Sequence, residues 1–131
     1  ISISAEIESQ IAQLTNEVEK KEFLDSLGWN SSGLDRIIKL SYIKLDLITY
    51  FTTGEKETKA WTVKKNSIAL DASSVIHTDF KKGFICAETT SYEDYIKYGG
   101  SKGAKENGKT RQEGKEYLVK DGDIIHFLFN V

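Results

Sequence analysis

LITYFTTGEKETKAWTV, residues 47–63, is the stretch on which the fold turns. Two runs, LITYFTT and ETKAWTV, are dense in β-branched and aromatic residues, which suit a pleated, half-buried surface. Gly54-Glu55-Lys56-Glu57 between them has turn chemistry, so the stretch reads as strand, hairpin turn, strand.

The residues that follow set the class. In SIALDASSVIHTDF (67–80), Leu70, Ser73/Ser74 and His77 recur at helical spacing, and Ala72, Val75 and Ile76 supply an apolar stripe. GFICAETT (83–90) is apolar on both faces, as a central strand would be. SYEDYIKYGG (91–100) reads as a short helix ended by glycines, and 101–114 as a polar surface loop. KEYLV (115–119) and IIHFLFNV (124–131) read as strands around the turn KDGD. Two strands, a helix, a strand, a short helix and two strands make one mixed sheet gripping one helix. This is an α+β, β-grasp (ubiquitin-like) arrangement.

Upstream the periodicity is helical. ISIS (1–4) alternates like a strand, and Ile7, Ile11 and Leu14 mark a helix over 5–14. Thr15 is placed to cap a second helix, closed by Gly28. Ser31 or Ser32 starts a third, whose apolar positions include Leu34, Ile37, Ile38 and Leu45. Residues 1–46 therefore read as a strand stub with three helices, and 47–131 as the β-grasp domain. The lack of methionine and a strand at residue one lead us to expect a piece of a longer protein.

Composition excludes several classes. With 131 residues, 39% hydrophobic, the chain can build one modest core. A net charge of −2 gives no bulk attraction to nucleic acid. The apolar runs are too short for a bilayer, so no membrane partner is expected. Cys86, the single cysteine, sits in an apolar run and reads as a strand residue, which excludes a disulfide scaffold and suggests a reducing, cytoplasmic setting. With two histidines and that one cysteine, no metal site is expected.

Three constellations remain. GAKENGKT (103–110) fits the spacing of a phosphate-binding P-loop, which needs a buried strand before it and a helix after it. Its flanks, YIKYGGSK and RQEGK, supply neither, so the match is read as coincidence in a surface loop. The same region carries Lys97, Lys102, Lys105, Lys109, Arg111 and Lys115 against Glu106 and Glu113. Such a patch can meet phosphates without reading sequence, or be an ordinary solvated face. Lys64 and Lys65 after the second strand, and Lys81 and Lys82 after HTDF, are further surface candidates for phosphate. His77 and Asp79 are close enough for acid–base work but have no evident third partner; a capping role and an RNA contact both stand. His126 falls on the less buried face of the last strand, while Trp61 and Tyr50 are read as packing residues.

GLDRIIKLSYIKLDLITYFTTGEKETKAWTVKK (33–65), VIHTDFKKGFICAE (75–88) and EGKEYLVKDGDIIHFLFNV (113–131) together resemble the C-terminal part of Obg-like ATPases of the YchF family. Residues 47–131 resemble its TGS domain. The resemblance implies that Ser4 and Ala5 occupy the place of a short motif whose backbone helps to hold the nucleotide base, with Glu6 where many relatives carry lysine. It also implies a parent that hydrolyses ATP with Mg²⁺ through a P-loop upstream of residue one, and helices that pack on that nucleotide-binding domain. The chain alone would then hold no cofactor and be inactive, and the TGS domain would bind the ribosome or ribosomal RNA. The competing reading is a small self-sufficient enzyme using His77, Asp79 or the Gly103–Thr110 loop.

Overall fold

A computed structural model describes residues 1–130. The chain forms two compact units, Ile1–Leu45 and Asp46–Val131.

The first unit holds α1 (Ala5–Gln13), α2 (Glu17–Ser26) and α3 (Gly33–Lys44). Each begins where a short polar side chain can accept from an otherwise unpartnered amide. Ser4 Oγ accepts from Ile7 N at 3.4 Å, Asn16 Oδ1 from Val18 N at 2.8 Å, and Ser32 Oγ from Asp35 N at 3.1 Å. The cap of α2 is thus Asn16 and not Thr15, the better-ranked side chain taking the position. Glu8 of α1 adds a long-range cap: its carboxylate accepts from Gly33 N at 2.6 Å and Leu34 N at 3.3 Å. An anion at a helix N-terminus also meets the positive end of the dipole. Ile1–Ser4 is not a strand, because no strand among the described residues pairs with it.

In the second unit, β1 (Leu47–Thr53) and β2 (Thr58–Lys64) form the expected hairpin, with Gly54 N donating to Glu57 O at 2.9 Å across the turn. There follow α4 (Ala69–Ile76), α5 (Thr78–Lys82), β3 (Phe84–Thr90), α6 (Tyr92–Lys97), α7 (Ser101–Glu106), β4 (Arg111–Glu113) and β5 (Ile124–Phe129). The sheet order is β2-β1-β5-β3-β4, with β1 and β5 parallel and the other pairs antiparallel. The fold is α+β, a mixed sheet gripping α4. Its core gathers Tyr50, Val63, Ala69, Ala72, Ala87, Ile125 and Phe127, among others. Tyr50 is completely buried; its hydroxyl donates to Ala72 O at 2.8 Å and its ring meets Phe127 edge-on. Ala69, Ala72 and Ser73 face the sheet, whereas Val75 is exposed.

Two further expectations are corrected. KEYLV is not a strand, for only Leu118 bridges, to Ile68. Its carbonyls serve instead at the start of α4, which has no side-chain cap: Ala69 N donates to Tyr117 O at 2.8 Å and Leu70 N to Lys115 O at 3.1 Å. The stretch 101–114 is not a loop but α7 and the edge strand β4. GFICAETT, expected as a central strand, is β3, an interior strand paired with β5 on one side and β4 on the other.

Candidate functional site

The P-loop pattern resolves into ordinary helix architecture. Gly103 lies inside α7, where a Cβ would stand 1.8 Å from the backbone oxygen of Tyr98, so only glycine fits this contact. Gly108 follows the end of α7 at φ 67°, with its N donating to Lys105 O and Lys109 N to Ala104 O. Those two bonds are a Schellman terminator. Helix precedes and strand follows, the reverse of a phosphate cradle.

The basic residues do not form one patch. Arg111 and Glu113 lie opposite Thr89 and Ala87 in register, on the sheet face that bears the core, and Arg111 Nε donates to Glu113 Oε1 at 3.1 Å. Arg111 also donates to the Tyr117 hydroxyl at 3.2 Å, which in turn donates to the buried carboxylate of Asp123 at 2.7 Å. Burial, then the bond to Asp123 and its charge, push the Tyr117 phenol up to about 12, against the opposing pull of Arg111. Desolvation lowers the Arg111 pKa, but Tyr117, Glu113 and Asp123 outweigh it and the net shift is upward. Arg111 is thus a structural cation.

The opposite face of the sheet carries a cleft. Thr53, Glu88, Thr90, Ile124 and His126 alternate with the core residues Ala87, Ile125 and Phe127, and so point away from α4. With Ser101, Lys102 and Lys105 of α7 and with Thr110 they line a hollow of about 390 Å³. Lys105 Nζ lies 3.5 Å from the carboxylate of Glu88, and the Thr90 and Thr110 hydroxyls are hydrogen-bonded at 2.9 Å. Sequence reasoning missed Glu88 and Thr90, and met Thr110 only as the end of the Gly103–Thr110 pattern. The β3–β5 register, which sets Glu88 against His126 and Thr90 against Ile124, is what brings the first two to this face.

Elsewhere, Lys81 is paired with Asp71 at 2.8 Å, and Lys82 stands 4.0 Å from Asp79. Lys64 and Lys65 lie at the exposed end of β2. Among the described residues Lys65, Lys102, Lys109 and Lys115 form no ion pair. His77 caps α5: its Nδ1 accepts from Asp79 N at 3.2 Å, and the Asp79 carboxylate lies 3.6 Å away. Ser4 caps α1, and Ala5 is that helix's first residue. Among the described residues no three His, Cys, Asp or Glu side chains gather as a metal would require, and no helix is long and apolar enough to cross a membrane.

A mixed five-stranded sheet gripping α4 is the arrangement of a TGS-like α+β domain. Residues 47–130 match the family YchF-GTPase_C, described as a protein of unknown function (DUF933). The chain belongs to the YchF family, as its C-terminal part. It is 57% identical over 131 residues to the ribosome-binding ATPase YchF of Bacillus subtilis and 55% to that of Haemophilus influenzae, in each case over 100% of this chain and 36% of the relative. It therefore spans about a third of the length of these relatives. The YchF GTPase of Schizosaccharomyces pombe is similar in structure, with a TM-score of 0.85 at 38% identity over 98% of this chain and 33% of that one. A GTP-binding protein of Pyrococcus horikoshii shares the fold, at a TM-score of 0.59 and 21% identity over 96% of this chain and 35% of that one.

Proposed function

We propose that residues 47–131 are a ribosome-contacting module of a longer ATPase, and that they meet ribosomal RNA chiefly through Lys102, Lys109 and Lys115, with Lys64 and Lys65 as a second group. The observation that carries this reading is identity of 55–57%, over every residue, to relatives named ribosome-binding ATPase. Lys81, Lys82, Lys105 and Arg111 contribute less than their charge suggests, since each faces a carboxylate of the same unit. The parent binds ATP with Mg²⁺ on a domain preceding residue one and works in the cytoplasm; Ser4 and Ala5 reach its nucleotide base through their backbone. Leu34, Ile38 and Ile43 of α3, all exposed in this chain, pack on that domain. This portion supplies binding and the nucleotide domain supplies hydrolysis.

Phosphate contacts release counterions, so affinity falls with salt at a slope of about −0.7 to −0.9 per phosphate neutralised. Three or four contacts predict a loss of roughly one and a half to two decades between about 50 and 200 mM salt. Reversing Lys102 and Lys109 to glutamate should weaken ribosome co-sedimentation and flatten the slope while the sheet stays folded. Arg111 is unsuitable for this test, because its reversal would disrupt the Tyr117–Asp123 network. Binding indifferent to both salt and these reversals would overturn the assignment.

A further inference from the structure

We propose that the cleft on the sheet face opposite α4 is a ribose subsite, in which Glu88 accepts from the 2′-hydroxyl of a single-stranded RNA whose phosphate is held by Lys102. The inference rests on the proposed RNA contact and names the group that is read there.

Strands make the floor of the cleft. β3 and β5 pair with Glu88 opposite His126 and Thr90 opposite Ile124, and these four share one face. α7 makes a wall, with Ser101, Lys102 and Lys105 on the hollow. Two hydroxyl pairs line it: Thr53 with Ser101 at 3.4 Å, and Thr90 with Thr110 at 2.9 Å. At about 390 Å³ it falls at the small end of ligand-sized clefts.

Its charges are unlike those of a plain phosphate patch. The Glu88 side chain is only 19% exposed, and its ion-pair partner Lys105, 3.5 Å away, is 68% exposed. So exposed a partner contributes little, and Lys105 can turn toward a phosphate at small cost. Lys102 forms no ion pair among the described residues. A carboxylate in the same hollow repels a polyanion unless a donor meets it, because an ionised carboxylate can only accept.

RNA carries such a donor next to its phosphate. The 2′-hydroxyl sits on the sugar carbon adjacent to the one that bears the 3′-phosphate, whereas the donors of the bases lie farther out. Carboxylates hold ribose hydroxyls in this way in dinucleotide sites. No Phe, Tyr or Trp is among the described residues lining the cleft, so the bases have no platform to stack on. The site reads sugar and not sequence.

The test is a titration of the isotope-labelled 131-residue chain with hexauridylate, its deoxy form and its 2′-O-methyl form, at about 50 mM salt. Hexauridylate should give saturable amide shifts at Glu88, Thr90, Lys102, Lys105 and His126. The deoxy form should bind about tenfold more weakly, through loss of a hydrogen bond to a charged group. The 2′-O-methyl form keeps the oxygen but not the donor, and should fall as far. Glu88→Ala should bring the RNA and deoxy forms within about twofold of each other. Glu88→Gln, which keeps the shape and an acceptor, should leave a preference of about threefold. The three oligomers need no variant, so the comparison survives a folding failure in Glu88→Ala. Equal affinity of the RNA and deoxy forms for the unaltered chain would overturn the ribose subsite and leave the phosphate contacts standing. So would 2′-O-methyl binding as tight as that of RNA, or a full preference persisting in either variant. No saturable shift with any of these oligomers at millimolar concentration would overturn it together with the RNA reading.

Discussion

The two units of the chain spend their apolar residues differently. In Asp46–Val131, Tyr50, Ala69, Ala72 and Ala87 are fully buried and Ile125 nearly so. In Ile1–Leu45 the only buried hydrophobic residue is Ile11, while Leu34, Ile37, Ile38, Leu40, Ile43 and Leu45 all lie exposed on or just beyond α3. Helices of 9 to 12 residues are marginal by themselves and draw most of their stability from packing an amphipathic face. The caps of the first unit are complete, including the long reach of Glu8, but caps contribute only about 1 kcal/mol each. A well-capped unit without a core and a well-packed unit with a plain helix start make different demands on a partner. The sheet unit gathers a core of its own, whereas most apolar side chains of α3 are left exposed.

The sharpest way to break this contrast is native-state amide exchange. Amides of β1, β3 and β5 should open only with global unfolding, and those of α1–α3 through local opening, so the sheet should exchange slower by about three decades or more. Equal slow exchange in both units would show that the helices have a core of their own. Next in size is a pair of truncations. Tyr50→Ala removes a buried ring and its hydroxyl's bond to the Ala72 carbonyl, and should cost about 3–5 kcal/mol in urea unfolding followed by tryptophan fluorescence. Leu34→Ala, at a side chain 59% exposed, should stay within about 0.5 kcal/mol. A large loss at Leu34 would reverse the comparison.

The smallest effect is alkaline. Burial raises the Tyr50 phenol, and burial with Asp123 raises Tyr117 to about 12 from the ordinary 10.0, so the folded sheet holds protons that the unfolded chain releases. Their contribution is whole below about pH 10 and drains away as pH climbs toward 12 and beyond. Thermal melts should show the sheet losing stability over that window, with Tyr117→Phe flattening the fall and the helical unit unaffected. A slope unchanged in Tyr117→Phe would remove this tyrosine from the account.

Much of this was legible in the chain. The hairpin followed from two β-rich runs about a four-residue turn, and β5 from IIHFLF between turn and terminus. The failures share one cause. KEYLV has strand composition, but the strand it would join is replaced by α4's need for carbonyls. The loop 101–114 is polar because α7 is short and bears one buried residue, Ala104, too weak a period to see. Among the candidate sites, the cations were easily named, and Glu113 stands only two residues from Arg111, yet Asp71 and Glu88, the partners of Lys81 and Lys105, lie on other elements and could not be read from spacing.

By itself, then, the sequence determined what short-range chemistry controls. It set the hairpin, the boundaries of α1–α3 to within a residue or so, the failure of GAKENGKT as a phosphate cradle, and the YchF resemblance carried by its long motifs. Tertiary structure alone decided which lysines are paired, that Arg111 belongs to a buried network, that Gly103 serves a close backbone contact, and that β2 and β4 end the sheet. The division is physical. Propensities and caps act within a few residues, whereas ion pairs, burial and strand order depend on which distant segments the sheet brings side by side.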